Sequence, residues 1–436
     1  MPRRAENLRA AIAGGDAALI GRERSVALSA MGRAMDADLT GRRILLRTSD
    51  QLFAALALIE LDGVADRIVI CPPDVKPEHL PSVIECAGIE AVAGEDPALA
   101  VEGLRFAPVH LPHPGEAAAP SRKTEWVLFT SGTTGIPKMV AHTLEGLTGA
   151  ISGDGAPQTV WGTFYDIRRY GGLQILLRAL LGRASLILSD ADEDVSGFLA
   201  RLGRHGVTHL TGTPSHWRRA LMSPAIAGIV PAYLRLSGET ADQAVLDALK
   251  ARFPGVPVGH AYASTEAGVG FEVADGLEGF PAAYLDRDGP VRMKVVDGTL
   301  RIRSPRTASE YVGGAALLDD GWVDTTDMVE RRGDRYYFAG RTGGIINVGG
   351  LKINPEEVEA VINSHASVRA SRVSGRRNPI MGAIVVAEIV ANDNATLKDE
   401  ILALCREKLP PHKVPATLRF VEKLELTAGG KLSRHA

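Results

Sequence analysis

The stretch WVLFTSGTTGIPKMVAH, residues 126–142, places a dense run of small polar residues directly behind a short apolar strand. Glycine lets a backbone approach a ligand closely, and hydroxyl and exposed N–H groups donate to phosphate oxygens. Lys138 adds a positive charge. The stretch predicts a polyphosphate-binding loop, and a plain Ser/Thr/Gly surface loop is the alternative. The residues of this loop are Thr130, Ser131, Gly132, Thr133, Thr134 and Gly135.

The loop does not fit the other common phosphate-binding pattern, G-x-x-x-x-G-K-[ST], in which the lysine opens a helix. Pro137 precedes Lys138 and disfavours helical geometry at Ile136. Met139 stands where that pattern needs Ser or Thr. Both the spacing and the chemistry therefore exclude it.

Composition limits the partners. The chain has 436 residues, and 49 Lys and Arg against 52 Asp and Glu give a net charge of -3, so no basic footprint for nucleic acid is expected. No segment reaches the roughly 18 apolar residues of a membrane span. Cys71, Cys86 and Cys405 lie far apart, which predicts buried free thiols and a cytoplasmic location. Small-molecule chemistry is the favoured class.

Strand and helix patterns alternate from about residue 40, as in RILLRT, DQLFAALALIEL and RIVICP, which predicts parallel βα units. The segment DQLFAALALIEL is expected to be an amphipathic helix. Ligands lie outside the carboxyl ends of strands in such sheets, so YLRLSG and VGHAY should bring Gly238 and Tyr262 to one crevice. The alternation predicts a doubly wound α/β architecture.

The period changes to two near residue 290, in VRMKVVDGTLRIRS, where Asp297-Gly298 is a hairpin signal. A last segment has its own α+β pattern, and Asn354 is expected to cap the helix PEEVEAVINSH with Glu357 in a capping box. We therefore predict a large N-terminal α/β domain with doubly wound sheets and a β-rich section, residues 1–341. A small mobile α+β C-terminal domain, residues 342–436, follows.

Five motifs in order resemble those of the adenylate-forming enzymes, which include acyl-CoA synthetases, luciferases and the adenylation domains of peptide synthetases. Besides the phosphate loop, the resemblance rests on HAYASTEAG, GWVDTTDMV, FAGRTGGIINVGGLKINPEEVE and LTAGGKLSRH. It covers the chain from about residue 40 to the end. One such motif alone is weak, whereas five in the right order are highly specific.

The resemblance implies an ATP site. Lys138 and the hydroxyl loop would hold the β- and γ-phosphates, Glu266 would carry Mg²⁺, and Thr265 would lie beside the α-phosphate. Asp327 would accept the ribose hydroxyls, and Arg341 would close over ribose and phosphate. The residues expected to frame the adenine are Gly238, Glu239, Thr240 and Tyr262, the last by stacking. Without their motifs, these residues have structural interpretations too. Glu266 would be a solvated surface charge and Asp327 a turn residue, and Tyr262 would be as well explained as a core residue.

A lysine in the last six residues of a sequence is normally a solvent-exposed residue without a specific role, but TAGGKL, which contains Lys431, resembles the motif of the family's catalytic lysine. The resemblance implies that this lysine bridges the carboxylate and the α-phosphate and leaves when the small domain rotates. Gly349, Gly350 and Lys352 would then form a channel for the acceptor thiol. Gly343 and Gly344 mark the hinge, because glycine absorbs large dihedral changes.

The chain departs from the family pattern at four places, one of which is Gly343, where the hinge often has Asp or Lys. Thr326 stands where Gly usually precedes the ribose aspartate, and we expect an ordinary dihedral there. The first subdomain is shortened. In TFYDIRRYGGLQ, Arg168 and Tyr170 occupy the region of the acyl pocket. A buried guanidinium is costly unless it meets an anion, so Arg168 is a candidate for binding a second carboxylate. Pairing with Asp166, or exposure to solvent, is the alternative.

The sequence thus predicts an ATP- and Mg²⁺-dependent acid–thiol ligase that forms an acyl-adenylate from a small carboxylic acid and transfers the acyl group to coenzyme A. One alternative loads the phosphopantetheine of an acyl carrier protein. Another class is a catalytically silent nucleotide-binding homologue, against which Lys431 and Glu266 argue, since a decayed site is expected to lose them first.

Overall fold

A computed structural model of the protein describes residues 7–13, 16–130, 137–151, 158–314, 316–348, 351–378, 382–391, 396–427 and 431–432. No helix within these ranges is long and apolar enough to cross a membrane. The α-helices are α1 (Leu8–Ile12), α2 (Gln51–Leu61), α3 (Leu80–Ala87), α4 (Leu144–Thr148), α5 (Tyr170–Leu181), α6 (Val195–Arg204), α7 (Pro214–Met222), α8 (Gln243–Arg252), α9 (Pro355–Asn363) and α10 (Leu397–Lys408).

The strands of the described residues fall into four sheets. Those before residue 274 are β1 (Ala18–Ile20), β2 (Ser25–Ala27), β3 (Arg43–Arg47), β4 (Arg67–Cys71), β5 (Ala91–Gly94), β6 (Arg105–Pro108), β7 (Glu125–Phe129), β8 (Met139–Thr143), β9 (Val160–Thr163), β10 (Ser185–Leu188), β11 (His209–Gly212), β12 (Tyr233–Ser237), β13 (Val258–Ser264) and β14 (Gly268–Val273). The later ones are β15 (Phe280–Pro281), β16 (Arg292–Val296), β17 (Thr299–Arg303), β18 (Glu310–Tyr311), β19 (Val323–Arg332), β20 (Arg335–Arg341), β21 (Ile346–Val348), β22 (Leu351–Ile353), β23 (Val368–Asn378), β24 (Gly382–Ala391) and β25 (Thr417–Phe420).

The first sheet has the order β18-β8-β7-β4-β3-β5-β6 among the described strands. Strands β3 to β7 pair in parallel, as the alternating pattern predicts. The strand β8 runs antiparallel to β7, with Phe129 opposite Met139. The predicted phosphate loop therefore connects two antiparallel strands and does not lead into a helix.

The second sheet has the order β14-β13-β12-β11-β9-β10-β1-β2. It is parallel from β13 to β1, and β14 and β2 run antiparallel at its two edges. The strand β1 pairs with β10, so Leu19 lies opposite Leu186. The doubly wound prediction is confirmed for both sheets, with two N-terminal strands, β1 and β2, completing the second.

Helix α2 differs from its prediction, because all eleven of its residues are buried. It belongs to one apolar cluster with α5 and with residues of both sheets, such as Ile44 and Leu186. A helix covered on every side needs no polar face. Cys71 and Cys405 are buried as expected, but Cys86 is exposed, since it lies on the solvent side of α3.

The β-rich section is a sheet of order β15-β20-β19-β17-β16 within the described residues. Its predicted hairpin joins β16 to β17 at Asp297 and Gly298, whose φ angles are 50° and 79°. Two successive positive φ angles define the turn type that matches the twist of a hairpin. The Asp-Gly signal is confirmed.

The last sheet has the order β22-β21-β24-β23, with β25 beside β24. Its apolar cluster with α9 and α10 draws its members from Ile346 to Leu418. Asn354 is the N-cap residue of α9 as expected, but its side chain makes no capping hydrogen bond, and its Oδ1 is buried without a hydrogen-bond partner among the described residues. The carboxylate of Glu357 pairs instead with Lys413 Nζ at 2.6 Å.

Candidate functional site

The carboxyl ends of β12 and β13 form the predicted crevice. Ser237 lies opposite Ala261, which brings Gly238 and Tyr262 side by side at the ends of their strands. Gly238 has a φ of 88°, and a Cβ built on it would lie 3.5 Å from Lys431 Cε. The predicted lysine of the last segment therefore lies in the crevice. A larger residue at position 238 would displace the lysine.

Lys431 lies among charged groups. Burial and the nearby Arg341 guanidinium lower its pKa, whereas the carboxylates of Glu239 and Asp327 act to raise it. Thr427 holds its backbone, since the Thr427 N–H donates to the Lys431 carbonyl at 2.7 Å. A partly buried ammonium with two carboxylates nearby is positioned for an electrostatic role.

Asp327 is paired on both oxygens. The Tyr262 hydroxyl donates to Oδ2 at 2.5 Å, and Arg341 Nε donates to Oδ1 at 2.7 Å. Burial and the adjoining Asp327 carboxylate raise the pKa of Tyr262 well above its usual value. Burial alone would lower the pKa of Arg341, but the Asp327 carboxylate outweighs it and the pKa is raised. Three of the predicted nucleotide residues thus form one hydrogen-bonded group.

The ring of Tyr262 already has aromatic neighbours. It stacks with Phe271 at 5.5 Å and with Phe338 at 5.3 Å between ring centroids. Tyr262 is therefore part of an aromatic cluster of the protein as well as a neighbour of Asp327. Its stacking on adenine stays a prediction.

Glu239 connects two segments that are far apart in the chain. Its Oε2 accepts the Ser215 N–H at 2.9 Å, in the first turn of α7, and its Oε1 accepts the Leu432 N–H at 2.7 Å. This carboxylate therefore holds the lysine segment against the crevice. Thr240, the next predicted adenine neighbour, is exposed.

Thr265 and Glu266 follow β13. His142 Nε2 donates to the Thr265 carbonyl at 2.8 Å, and burial lowers the pKa of His142 to about 4, so this histidine is neutral at pH 7. The carboxylate of Glu266 forms no hydrogen bond or ion pair with any residue of the described ranges, and it contributes to a raised pKa of Tyr311. The Glu266 side chain is therefore available for a cation.

The phosphate loop is described only at its two ends. The Thr130 N–H donates to the Lys138 carbonyl at 2.9 Å, which closes the β7–β8 connection. Lys138 Nζ lies 5.6 Å from the centre of the Tyr311 ring. The predicted residues Ser131, Gly132, Thr133, Thr134 and Gly135 lie outside the described residues.

The predicted thiol channel is described only at Lys352, which is exposed on the β21–β22 hairpin. Gly349 and Gly350 lie outside the described residues. Gly343 and Gly344 are exposed in the turn between β20 and β21, where the Gly344 N–H donates to the Arg341 carbonyl at 2.9 Å.

Thr326 contradicts the expectation of an ordinary dihedral. Its φ is 58°, in the left-handed region that a β-branched residue rarely adopts. The Thr326 N–H donates to Asp324 Oδ1, and its carbonyl accepts the Thr342 N–H, which holds the strained backbone in place. The strain lies directly before Asp327, where the family pattern has glycine.

Arg168 does not bind a second carboxylate, because the protein uses its donors. The side chain is 2% exposed and forms a two-pronged pair with Asp166, of 2.8 and 2.7 Å. Its NH1 donates to the carbonyls of Thr48 and Ser49 at 2.5 and 2.9 Å. The alternative of pairing with Asp166 is therefore correct, and Arg168 joins the end of β3 to the loop before α5. Tyr170 opens α5 as a buried residue.

Sequence reasoning missed several residues around this site. His142 and Ser215 had no motif, and their roles depend on backbone groups that only the fold brings near. Arg235 had a signal: a charged residue in the middle of a strand that is buried on both faces is unusual. It lies buried on β12.

The described residues fit ATP with Mg²⁺. Mg²⁺ usually binds through one or two carboxylates together with substrate phosphates, and Glu266 offers one uncommitted carboxylate. No cluster of three metal-ligating side chains occurs in the described part of the chain, so a cage made of protein ligands alone is not what these residues offer.

The chain was compared with known proteins. Family models match residues 52–312, as AMP-binding enzyme, and residues 357–431, as AMP-binding enzyme C-terminal domain. A 2-succinylbenzoate–CoA ligase of Bacillus cereus is 28% identical over 336 residues, which are 71% of this chain and 68% of the relative.

Two solved structures share the fold. A benzoate CoA ligase from Burkholderia xenovorans has a TM-score of 0.80 at 21% identity, covering 98% of this chain and 99% of that one. ATP-bound MatB from Rhodopseudomonas palustris has a TM-score of 0.79 at 19% identity, covering 98% of this chain and 97% of that one. With family models that together match most of its length, this chain belongs to the AMP-binding enzyme family.

Proposed function

We propose that the protein activates a small carboxylic acid with ATP, forms an acyl-adenylate, and transfers the acyl group to the thiol of coenzyme A. The position of Lys431 carries this proposal. Its side chain lies against Gly238 and close to Asp327 and Arg341, so an ammonium is held where nucleotide and acid would meet. A cation fixed there neutralises charge that develops as the carboxylate attacks the α-phosphate.

The other residues divide the remaining tasks. Asp327 accepts the ribose hydroxyls, and Arg341, already paired with it, covers ribose and phosphate. Lys138 and the loop from Thr130 to Gly135 hold the β- and γ-phosphates. Glu266 would hold Mg²⁺, which would supply positive charge beside the phosphates, and Thr265 would lie beside the α-phosphate. Gly238, Glu239, Thr240 and Tyr262 frame the adenine.

Residues 342–436 act as a mobile unit. Lys431 serves the first half-reaction in the arrangement described above. For the second, the unit rotates about Gly343 and Gly344, and Gly349, Gly350 and Lys352 come to line the path of the thiol. The side chain of Lys352 forms no hydrogen bond or ion pair with another described residue, so no such contact holds it in its present place. The location is the cytoplasm, where ATP and coenzyme A are both present.

Coenzyme A is favoured over a carrier protein as the acceptor, because the named relatives are CoA ligases. The test is ATP–pyrophosphate exchange with a panel of carboxylic acids, followed by thioester formation with coenzyme A. We expect both activities with the same acid. Exchange without transfer to coenzyme A would favour the carrier-protein alternative, and no exchange with any acid would favour the silent homologue.

A further inference from the structure

The short turn between β13 and β14, residues 265–267, carries Thr265 and Glu266, and we call it the Thr-Glu turn. Two of its carbonyls are bonded by other segments of the chain. His142 Nε2 donates to the Thr265 carbonyl at 2.8 Å, and the Ala308 N–H donates to the Glu266 carbonyl at 2.9 Å. The Thr-Glu turn is therefore held in place by groups that lie outside its own hairpin.

Both of these links lead to β8, the strand that follows the phosphate loop. His142 is on β8 itself, four residues after Lys138. Ala308 is followed by Ser309, whose N–H and hydroxyl both donate to the Ala141 carbonyl of β8, at 2.8 and 2.9 Å. One strand thus fixes the positions of Lys138 and of the Thr-Glu turn relative to each other.

The bond from His142 acts on the peptide unit that joins Thr265 to Glu266. This unit is planar, so its orientation depends on ψ of Thr265 and φ of Glu266. If the Thr265 carbonyl turns, the backbone turns at both residues and both side chains change direction. The bond from His142 therefore positions the Thr265 hydroxyl, which would lie beside the α-phosphate, together with the Glu266 carboxylate, which would hold Mg²⁺.

The surroundings of His142 do not favour a histidine for packing alone. Its side chain is 1% exposed, and its Nδ1 is buried without a hydrogen-bond partner among the described residues. An unsatisfied buried polar atom is destabilising, and an apolar side chain of similar size would avoid it. The bond to the Thr265 carbonyl is what a ring nitrogen supplies at this position and an apolar side chain cannot.

We propose that His142 is a positioning residue for the metal end of the nucleotide site, where its hydrogen bond holds Thr265 and Glu266 in the arrangement that binds ATP together with Mg²⁺. The proposal rests on the proposed function, because it takes the nucleotide and metal roles of the Thr-Glu turn from there. His142 acts through these two residues and touches neither nucleotide nor metal, since its ring is enclosed by protein. Loss of the donor should therefore lower the gain in ATP affinity that Mg²⁺ provides.

The test measures the dissociation constant of ATP by isothermal titration calorimetry, once with excess Mg²⁺ and once with EDTA. The ratio of the constant without Mg²⁺ to the constant with it is the Mg²⁺ gain, and effects on nucleotide contacts that need no metal cancel in it. His142→Leu removes the donor, and His142→Gln keeps one for the Thr265 carbonyl. Gln174→Leu is the matched control, because Gln174 is also buried, its Nε2 donates to the Leu147 carbonyl at 2.8 Å, and its Oε1 has no partner in the described structure.

We expect the Mg²⁺ gain to fall about tenfold in His142→Leu, to recover most of its wild-type value in His142→Gln, and to stay unchanged in Gln174→Leu. Both leucine variants lose a buried hydrogen bond, so both should have a lower melting temperature, and the titrations are run well below it. The comparison therefore separates loss of the positioning bond from loss of stability.

A wild-type Mg²⁺ gain in His142→Leu would mean that the histidine serves stability alone, and it would overturn the proposal. A gain as low in His142→Gln as in His142→Leu would overturn it too, because the donor would then not matter. An equal fall in Gln174→Leu would show that the loss of any such buried bond has this effect. A wild type that binds ATP in neither buffer would count instead against the proposed function itself.

Discussion

The backbone N–H of Leu432 donates a hydrogen bond of 2.7 Å to Oε1 of Glu239, and this bond joins the lysine segment to the crevice. The other oxygen of Glu239 is held by the Ser215 N–H at 2.9 Å. A carboxylate fixed at one end by a helix N-terminus is a rigid acceptor for the other. The bond therefore stabilises the arrangement in which Lys431 enters the crevice.

Replacing Glu239 by Ala should slow adenylate formation by about tenfold, because loss of a charge-assisted hydrogen bond of about 1.5–3 kcal/mol shifts the small unit away from the crevice. Thioester formation from a supplied acyl-adenylate should keep its rate. The measurement is single-turnover kinetics of each half-reaction. Glu422→Ala, an exposed residue of the same segment as Lys431, is the control. Equal losses in both half-reactions would mean that Glu239 serves the nucleotide site and not the docking.

Lys431→Ala should reduce pyrophosphate exchange on the order of 100-fold and leave transfer from a supplied acyl-adenylate largely intact. The exposed Lys423→Ala is the control for loss of a positive charge in this segment. If transfer fell as far as exchange, Lys431 would not be specific to the first half-reaction.

Gly343→Pro should have the opposite effect to Lys431→Ala: it should impair acyl transfer and leave pyrophosphate exchange largely intact. The Gly343 N–H has no hydrogen-bond partner in the described structure and nothing lies within 4 Å of a Cβ built there, so the substitution removes no hydrogen bond and its Cβ enters open space. It restricts rotation about that turn and should block transfer while sparing exchange. Both half-reactions measured on one preparation decide this, and normal transfer would exclude a hinge at Gly343.

Arg168→Met should lower the free energy of unfolding by about 3–5 kcal/mol, because Asp166 is left without its buried partner. Acid preference should not change, since the guanidinium is already occupied by protein groups. The double variant Asp166→Asn/Arg168→Met should recover part of the stability. Urea unfolding and the ratio of kcat/KM for adipate over hexanoate are the two measurements, and a changed ratio would return Arg168 to the acyl site.

His142 should make stability fall in mild acid. Its pKa is about 4 in the folded protein and 6.5 when unperturbed, so between these values the unfolded chain binds the proton more tightly and stability falls as the pH is lowered. Between about pH 7.5 and about pH 5, the titration of His142 lowers the free energy of unfolding by about 2 kcal/mol. The His142→Gln variant keeps a donor for the Thr265 carbonyl without titrating. Over the same pH range, its loss of stability should be smaller than that of the wild type by about 2 kcal/mol.

The titration of Asp62 changes stability with pH in the direction opposite to that of His142. Burial raises the pKa of Asp62 to about 6 from 3.8, so Asp62 gives stability as the pH falls through that range. Because Asp62 is present in both proteins, its effect cancels in the difference between wild type and His142→Gln. An identical pH dependence in the two proteins would contradict the assignment.

Thr326→Gly should stabilise the protein by about 1 kcal/mol, since glycine adopts a positive φ without the steric cost that threonine bears there. Thr326→Ala keeps a Cβ at the same backbone angle and should give no such gain. Thermal unfolding distinguishes the two variants. Equal stabilities would mean that the φ of 58° costs nothing in this setting.

Signals confined to neighbouring residues predicted much of the fold. The pattern alone was sufficient to predict the alternating strands and helices and the Asp297-Gly298 turn. Lys431 and Glu266 were predicted as site residues from the motifs that contain them. The partners of Arg168 could not be predicted, because the Thr48 and Ser49 carbonyls follow β3, a strand of the other sheet. The pairing of Thr163 with Thr211 was hidden for a similar reason: β9 pairs with β11, so these residues are neighbours only after the strand order is known.

Local propensity also misled where tertiary structure decides. DQLFAALALIEL has polar ends that favour an exposed face, but α2 is enclosed between two sheets. A threonine at position 326 favours an extended backbone, yet the bonds of its neighbours hold it in the left-handed region.

The pairing of β1 with β10 has a consequence for how the chain is made. Synthesis begins at the N-terminus, so β1 leaves the ribosome long before Ser185–Leu188 exists, while β3 to β8 are all available in between to assemble the first sheet. Contacts between such distant segments form late, because closing a long loop is entropically unfavourable. Until then β1 can pair with β2, but the edge that will face β10 is unpaired, and an unpaired apolar edge is prone to aggregate or to bind chaperones. A strand that is synthesised early is thus one of the last to be protected.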